Sequence, residues 1–393
     1  MAICALPPST VRLLGSSATI ATPHDLVKEL LENAIDAEAT TVDISVSADA
    51  LERLSVRDNG HGIAVRDLES LGRRAHTSKL RTFDELPARA GKTLGFRGEA
   101  LACASSLSSV TVTTRAAGEP VATRLRLRPA VAGGGVQDSR PVSAPVGTTV
   151  QATQLFVNMP ARRQNLLKER HRSLSSIKEL LEGYAMARPH LRLSLRISDG
   201  GVRPWSYSPR PVPSVKEATL QIFGTNLAAN CVHLTLVDEA REDGSRPQQP
   251  TGYLMDAFLP APRCDVDAVR GKGCFISVDQ RPVSASRGLP KKIARSFKSH
   301  FYGHLTRAES GNRPQASLFM QLDIRCPPGS YDANVSPMKD ELLFVDESKL
   351  LECFEGLCRK LYGGEAASVA TLTSPTAAGP PETRPRGARP SSM

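Results

Sequence analysis

None of the eight cysteines, at 4, 103, 231, 264, 274, 326, 353 and 358, stands in a CxxC pair. That spacing argues against both a zinc ribbon and a disulfide framework and points to a reducing compartment, cytosol or nucleus. No apolar run approaches the ~18 residues that a membrane span requires. The opening "MAICALPPST" is broken by Pro7 and Pro8 too early for a secretory signal. No block of one charge sign occurs either: the formal charge of +10 comes from arginines scattered along the chain. No internal repeat is visible.

What is present is a globular composition, 40% hydrophobic and 23% charged, over 393 residues, enough for two or three domains. The basic balance, with a pI near 9.3, points to an anionic partner, nucleic acid first. Residues 9–37 read as helical, with Thr22 as N-cap and Pro23 in the first helical position. "TTVDISVSA" and "LERLSVRDNG" alternate apolar and polar residues and form a strand hairpin. Further strands fall at "SVTVTTR" and "GTTVQATQLF", with a flexible loop expected over 129–147. "RRQNLLKERHRSLSSIKELLEGYAMAR" reads as one long basic amphipathic helix. A Pro- and Ser-rich stretch near 203–214 marks a boundary. Beyond it, strands at "TGYLMDAFLP", "GKGCFISVDQRPV" and "ASLFMQLDI", with the helix "LPKKIARSFKSHFY", suit an α/β domain with a crossover connection. The expected units are 1–212, 213–362 and a disordered Pro/Ala/Ser-rich tail over 363–393.

Four short segments carry the chemistry. In "HDLVKELLENAIDAEAT", Glu29, Asn33 and Asp36 share one helical stripe, opposite an arc of Val27, Leu30, Leu31 and Ala34. They are either a solvated face or a base with a metal-ordering partner. In "RDNGHGI", Asp58 ends a strand, and Gly60 and Gly62 would let a flat ligand approach the backbone. A strand-terminating turn explains the same residues. In "LGFRGEAL", Gly95, Phe96, Arg97 and Gly98 at a helix start can offer N–H groups to phosphates, or form a plain glycine hinge. In "GTTV", Thr148 can reach a ligand or be ordinary strand sequence.

Taken in order, "ELLENAIDA", "DNGHGI", "TSK", "GFRGEAL" and "GTTV" resemble the nucleotide-binding motifs of the superfamily of type II topoisomerases, Hsp90 chaperones, histidine kinases and MutL. "TSK…GFRGEALA", "LFVNMPARR" and "DANVSPMKDEL" resemble MutL-type mismatch-repair proteins in particular, over roughly residues 10–360. "GFRGEAL" disfavours a chaperone or topoisomerase relative. The resemblance implies an α+β two-layer sandwich ATPase domain followed by a ribosomal-S5-like α/β transducer domain. It implies ATP and Mg²⁺ as cofactors, with Glu29 as general base for the attacking water and Asn33 on the metal. Asp58 would accept from the adenine amine, with Gly62 beneath the base and Thr148 beside it. Thr77, Ser78 and Lys79, with the backbone from Gly95 to Gly98, would form a lid over the phosphates, and Lys339 would reach the γ-phosphate. Asp36 is left open between a structural and a ligand-site role.

The physical requirement agrees, since phosphoryl transfer needs positioning and charge neutralisation rather than covalent groups. An amide oxygen can take the metal without repelling phosphates. The expected function is a slow ATPase of DNA mismatch repair that closes as a clamp on DNA. The second reading is an accessory protein that binds ATP and DNA with negligible turnover. It is raised by "GSSATIATPHD" standing where the family carries "IAAGEV", which also suggests a divergent eukaryotic PMS-type branch. Expected partners are single- or double-stranded DNA without sequence preference, a second MutL-type subunit and MutS-type proteins, in the nucleus. No DxHAxxExxxxE endonuclease motif is present in the chain. The DNA surface is expected on Arg281, Arg287, Lys291, Lys292 and Arg295, and on Arg162 and Arg163. His300 with His304 reads as a surface pair, and Cys353 with Cys358 as core.

Overall fold

A computed structural model describes residues 3–80, 82, 85, 93–95, 97–198, 201, 203–237, 252–308, 317–335 and 341–363. Helices α1 (Pro8–Thr19) and α2 (Pro23–Asp36) precede the hairpin β1 (Thr41–Ser47) and β2 (Arg53–Asp58). A 3₁₀ turn at Val65–Ser70 and α3 (Ala100–Leu107) follow, then β3 (Ser109–Arg115), β4 (Ala122–Leu127), β5 (Val136–Val142) and β6 (Gly147–Thr153). Helices α4 (Pro160–Lys168) and α5 (Arg170–Ala187) lead into β7 (Arg192–Ser198) and β8 (Trp205–Tyr207). The strands form one sheet of order β5-β4-β3-β6-β2-β1-β7-β8, in which β1 and β7 run parallel.

Alternation decides which face of that sheet is dry. Leu125, Val112, Val150, Val56, Ile44 and Leu195 are successive cross-strand partners and all are buried. Helices α2, α3 and α5 lie on this apolar face. Helix α2 starts where the sequence places it, in a capping box: Thr22 Oγ1 accepts from the Asp25 N–H, and Asp25 accepts from the Thr22 N–H.

The second layer begins with α6 (Val215–Phe223), α7 (Thr225–Ala229), β9 (Cys231–Val237), β10 (Leu254–Pro260) and α8 (Val266–Val269). It continues through β11 (Cys274–Val278), β12 (Arg281–Val283), α9 (Gly288–Ala308) and β13 (Met320–Arg325). The sheet order is β12-β11-β13-β10-β9, and β11 with β13 is the parallel pair that needs α9 as its crossover. A small ribbon of β14 (Tyr331–Asp332) and β15 (Leu343–Phe344) precedes α10 (Glu347–Tyr362), which packs on α9.

Two expectations are corrected. Residues 136–142 are not loop but strand β5, paired along β4. The strand lies at the sheet edge with most of its side chains in solvent, so "VQDSRPV" has no apolar alternation to betray it. The long basic helix is two helices that part at Glu169, where no Gly or Pro interrupts the sequence.

Under α2, Lys28 and Glu32 form an ion pair at 2.9 Å with side chains 4% and 0% exposed. The Tyr184 hydroxyl donates to Glu32 Oε1 at 2.8 Å, and burial first, then Glu32, holds that phenol far above its ordinary range. Glu32→Ala leaves the Lys28 ammonium buried without its carboxylate. Urea unfolding is expected to show a loss of about 3–5 kcal/mol. A loss under about 1 kcal/mol would show that the pair contributes little.

Candidate functional site

Between α2, the turn after β2, the segment 70–79 and the start of α3 lies a cavity of about 920 Å³. Glu29, Asn33 and Asp36 all line it, so the stripe seen in the sequence is a cavity wall rather than a wet face. Helix α2 therefore divides its acids by position: Asp25 caps, Glu32 points inward to Lys28, and Glu29 and Asp36 face the cavity. Glu29 is only 7% exposed.

At one end stands Asp58. Its Oδ1 accepts from the Gly60 N–H at 2.9 Å and from the Thr148 N–H at 3.1 Å. Among the described residues Oδ2 accepts no hydrogen bond, and the side chain lines the cavity. Burial pushes this carboxyl above its ordinary range, against the two N–H bonds. Gly62 is in the left-handed region (φ 73°), where an added Cβ would strike the Arg115 carbonyl. Gly60 departs from expectation. It is off the cavity wall, and its missing side chain makes room for Ala37 at the end of α2. Thr148 lines the cavity, and its hydroxyl lies 3.1 Å from that of Thr114. Thr114 was missed by the sequence. It also accepts from the Ile63 N–H at 2.9 Å, tying the Asp58 turn to β3, and no motif marks it.

The other end is closed by two segments drawn onto α2. Lys79 Nζ sits 2.8 Å from Asn33 Oδ1 and 2.6 Å from Asp36 Oδ2. Asp36 also accepts from the N–H groups of Leu94 and Gly95, both at 2.8 Å. The question left open for Asp36 thus has a structural answer: its carboxylate, 3% exposed, ties both segments to the helix. Thr77, Ser78, Gly95, Arg97 and Gly98 line the cavity beside Lys79. Gly98 is left-handed (φ 64°) and abuts the His76 carbonyl, where a side chain would not fit. The second layer reaches the same place. Arg97 donates to Asn334 Oδ1 at 2.7 Å, and Arg281 donates to the carbonyls of Thr93 and Leu94 at 3.1 and 3.0 Å. Phe96 and Lys339 lie outside the described residues.

This arrangement can be set beside known proteins. A model of histidine kinase-, DNA gyrase B- and HSP90-like ATPases matches residues 21–138, a window holding Glu29, Asn33, Asp58 and the segments at 77–79 and 95–98. The chain is 32% identical over 390 residues to the DNA mismatch repair protein MutL of Xylella fastidiosa (strain M23), covering 99% of this chain and 56% of that one. It is 29% identical over 365 residues to PMS1 protein homolog 1 of Homo sapiens, covering 91% of this chain and 36% of that one. Along nearly its whole length the chain is similar to proteins of the MutL family. It spans about half or less of the length of these relatives. The solved N-terminal domain of a DNA repair protein shares its fold, with a TM-score of 0.70, 24% identity and coverage of 90% of this chain and 98% of that one.

The basic residues expected on a DNA surface fare unevenly in this chain. Arg281 is a correction: it is 3% exposed and turned inward onto the carbonyls of Thr93 and Leu94, so it offers nothing to a solvent-side phosphate. Arg162 donates to the Ser17 carbonyl at 2.8 Å and covers the Phe156 ring, and Arg163 lies 3.7 Å from Glu52. Arg287 is paired with Glu341 at 2.5 Å and Lys292 with Glu347 at 2.6 Å. Lys291 and Arg295 are exposed on α9. His304 Nδ1 lies 3.1 Å from the Tyr362 carbonyl, and Cys358 is buried, its thiol pushed up to about 12. Cys353 is half-buried.

Proposed function

We propose that the chain binds Mg-ATP in this cavity and hydrolyses it slowly, as an ATP-gated subunit of DNA mismatch repair. The observation that carries the reading is the convergence of Glu29, Asn33, Asp58 and both lid segments, from distant parts of the chain, on one cavity. Asp58 Oδ2 accepts from the adenine amine, and the left-handed turn at Gly62 lets the base lie close to the backbone. Glu29 polarises the attacking water, and the Thr77–Lys79 and Gly95–Gly98 backbones close over the phosphates. Lys339, outside the described residues, is assigned the terminal phosphate on the resemblance of "DANVSPMKDEL" alone.

The donor set fits magnesium. Among the described residues that line the cavity, Asn33 supplies the one side-chain amide, and Mg²⁺ ordinarily takes few protein ligands and completes its shell with phosphates and water. When bound, the ion would be held by Asn33 and would supply positive charge to offset that of the phosphates. Lys79 must then release Asn33.

That clasp also favours the second reading, a protein that binds ATP with negligible turnover, because the Lys79 ammonium already holds the metal's acceptor. Phosphate release by the purified chain, with and without DNA and at several protein concentrations, decides between them. Turnover above the Glu29→Ala background supports the ATPase. Stoichiometric ATP binding without turnover supports the second, and no ATP binding removes both. The proposed partners are DNA without sequence preference, a second MutL-type subunit and MutS-type mismatch-recognition proteins, in the nucleus.

A further inference from the structure

The larger supply of free positive charge lies away from α9, on the bare face of the eight-stranded sheet. The register allows that face to be read strand by strand. One row of cross-strand partners runs Arg140, Arg124, Thr113, Thr149, Arg57, Asp43. The next runs Arg126, Thr111, Gln151, Ser55, Ser45, Arg196, with Asp138 beyond Arg126 on β5. Arg53 and Arg192 are exposed on the same face of β2 and β7. Seven arginines thus face two aspartates, and among the described residues none of the seven guanidinium groups has an ion pair or hydrogen bond. Asp43 is already taken up by the Ser194 hydroxyl at 2.5 Å.

Arg53, Arg57, Arg126, Arg140, Arg192 and Arg196 are all exposed on this face, while Val56, Leu125 and Leu195, at alternate positions of β2, β4 and β7, are buried on the opposite, apolar face. Arg124 stands directly opposite Arg140, a like-charge pair that costs stability unless an anion lies between them. We infer that the open sheet face binds the phosphodiester backbone of a nucleic-acid duplex. The side chains choose that occupant. Protein interfaces are anchored by aromatic, Met and other apolar residues at their centre, and these two rows contain none. Arg, Ser, Thr and Gln are the side chains that bind phosphates, and with no aromatic to stack on bases the face reads no sequence. From β5 to β7 the face spans roughly 29 Å, the length of about eight base pairs.

The test is a salt titration of a labelled mixed-sequence duplex binding to the full chain and to its variants. Arg124→Ala/Arg126→Ala/Arg140→Ala is expected to reduce the log–log salt slope by about 2–3, and Arg57→Ala/Arg196→Ala by about 2, at ~0.9 for each phosphate no longer neutralised. The Lys versions of the same variants are expected to keep the parent slope. Thermal melting and binding of a fluorescent ATP analogue in the same samples check folding and the cavity. Both are expected to be unchanged, so loss of one site is not mistaken for loss of the other. A parent slope in both Ala variants overturns the inference. So does a polyglutamate chain that binds as tightly as the duplex, which would make the face an acidic-protein site.

Discussion

Glu29→Ala is expected to lower ATP turnover by about 10²- to 10⁴-fold, the usual contribution of a positioned general base. Nucleotide affinity is expected to hold within about twofold, because the base acts on the water in the transition state and adds little to ground-state binding. The setting supports such precision. Glu29 is almost wholly buried on one wall of the cavity, on a helix fixed at its start by the Thr22–Asp25 box and from beneath by the Lys28–Glu32–Tyr184 set. Asn33, one turn further on, is expected to behave oppositely: Asn33→Ala weakens Mg-ATP binding itself. Phosphate release and fluorescent-nucleotide titration on both variants separate the roles. Parent-level turnover in Glu29→Ala would take this carboxylate out of the chemistry.

What could be read from the sequence follows from how local each feature is. The Glu29–Asn33–Asp36 stripe depends only on helical period and the Thr22 cap, and both occur where the pattern puts them. Strands β1, β2, β3 and β6 announce themselves by alternation, whereas β4, β7 and β9, which also alternate, are strands that the sequence reading does not name. Strand β5 does not alternate, because an edge strand in solvent needs backbone pairing but no apolar row. The α4–α5 break at Glu169 leaves no mark either. Side-chain direction is harder to read. Arg281 and Arg287 look alike in "QRPVSASR", yet one is buried on the carbonyls of Thr93 and Leu94 and the other pairs with Glu341. Burial where distant segments meet decides that, and no local pattern encodes it. Thr114 was illegible for the same reason: its partners, Ile63, Gly147 and Thr148, lie more than 30 residues away in either direction. Gly60 and Gly62 read identically, and each makes room for another backbone, yet of the two it is Gly62 that lines the cavity.

Asp58→Ala is expected to weaken ATP binding by about 10- to 100-fold, since a hydrogen bond to a charged group is worth about 1.5–3 kcal/mol. Two effects combine. The adenine amine loses its acceptor at Oδ2, and the N–H groups of Gly60 and Thr148 lose theirs at Oδ1, which loosens the turn under the base. The comparison that isolates the first effect is ATP against inosine triphosphate, which lacks the exocyclic amine. The parent is expected to prefer ATP and the variant to bind both alike. A variant that keeps the parent's preference would show that the amine is read elsewhere. Asp58 also predicts a pH dependence with a definite sign. Burial raises its carboxyl above the ordinary value, so it becomes protonated at a higher pH than an exposed aspartate and can no longer accept the amine. ATP affinity in the parent is expected to fall as pH drops through that raised value, and the Asp58→Ala chain to lack this step. A raised carboxyl binds its proton more tightly in the folded state, so at this residue lowering the pH favours folding and raising it costs stability. Acid loss of ATP binding through Asp58 is therefore expected while the chain stays folded. Nucleotide titration alongside circular dichroism at each pH checks it, and unfolding that coincides with loss of binding would assign the effect to other groups.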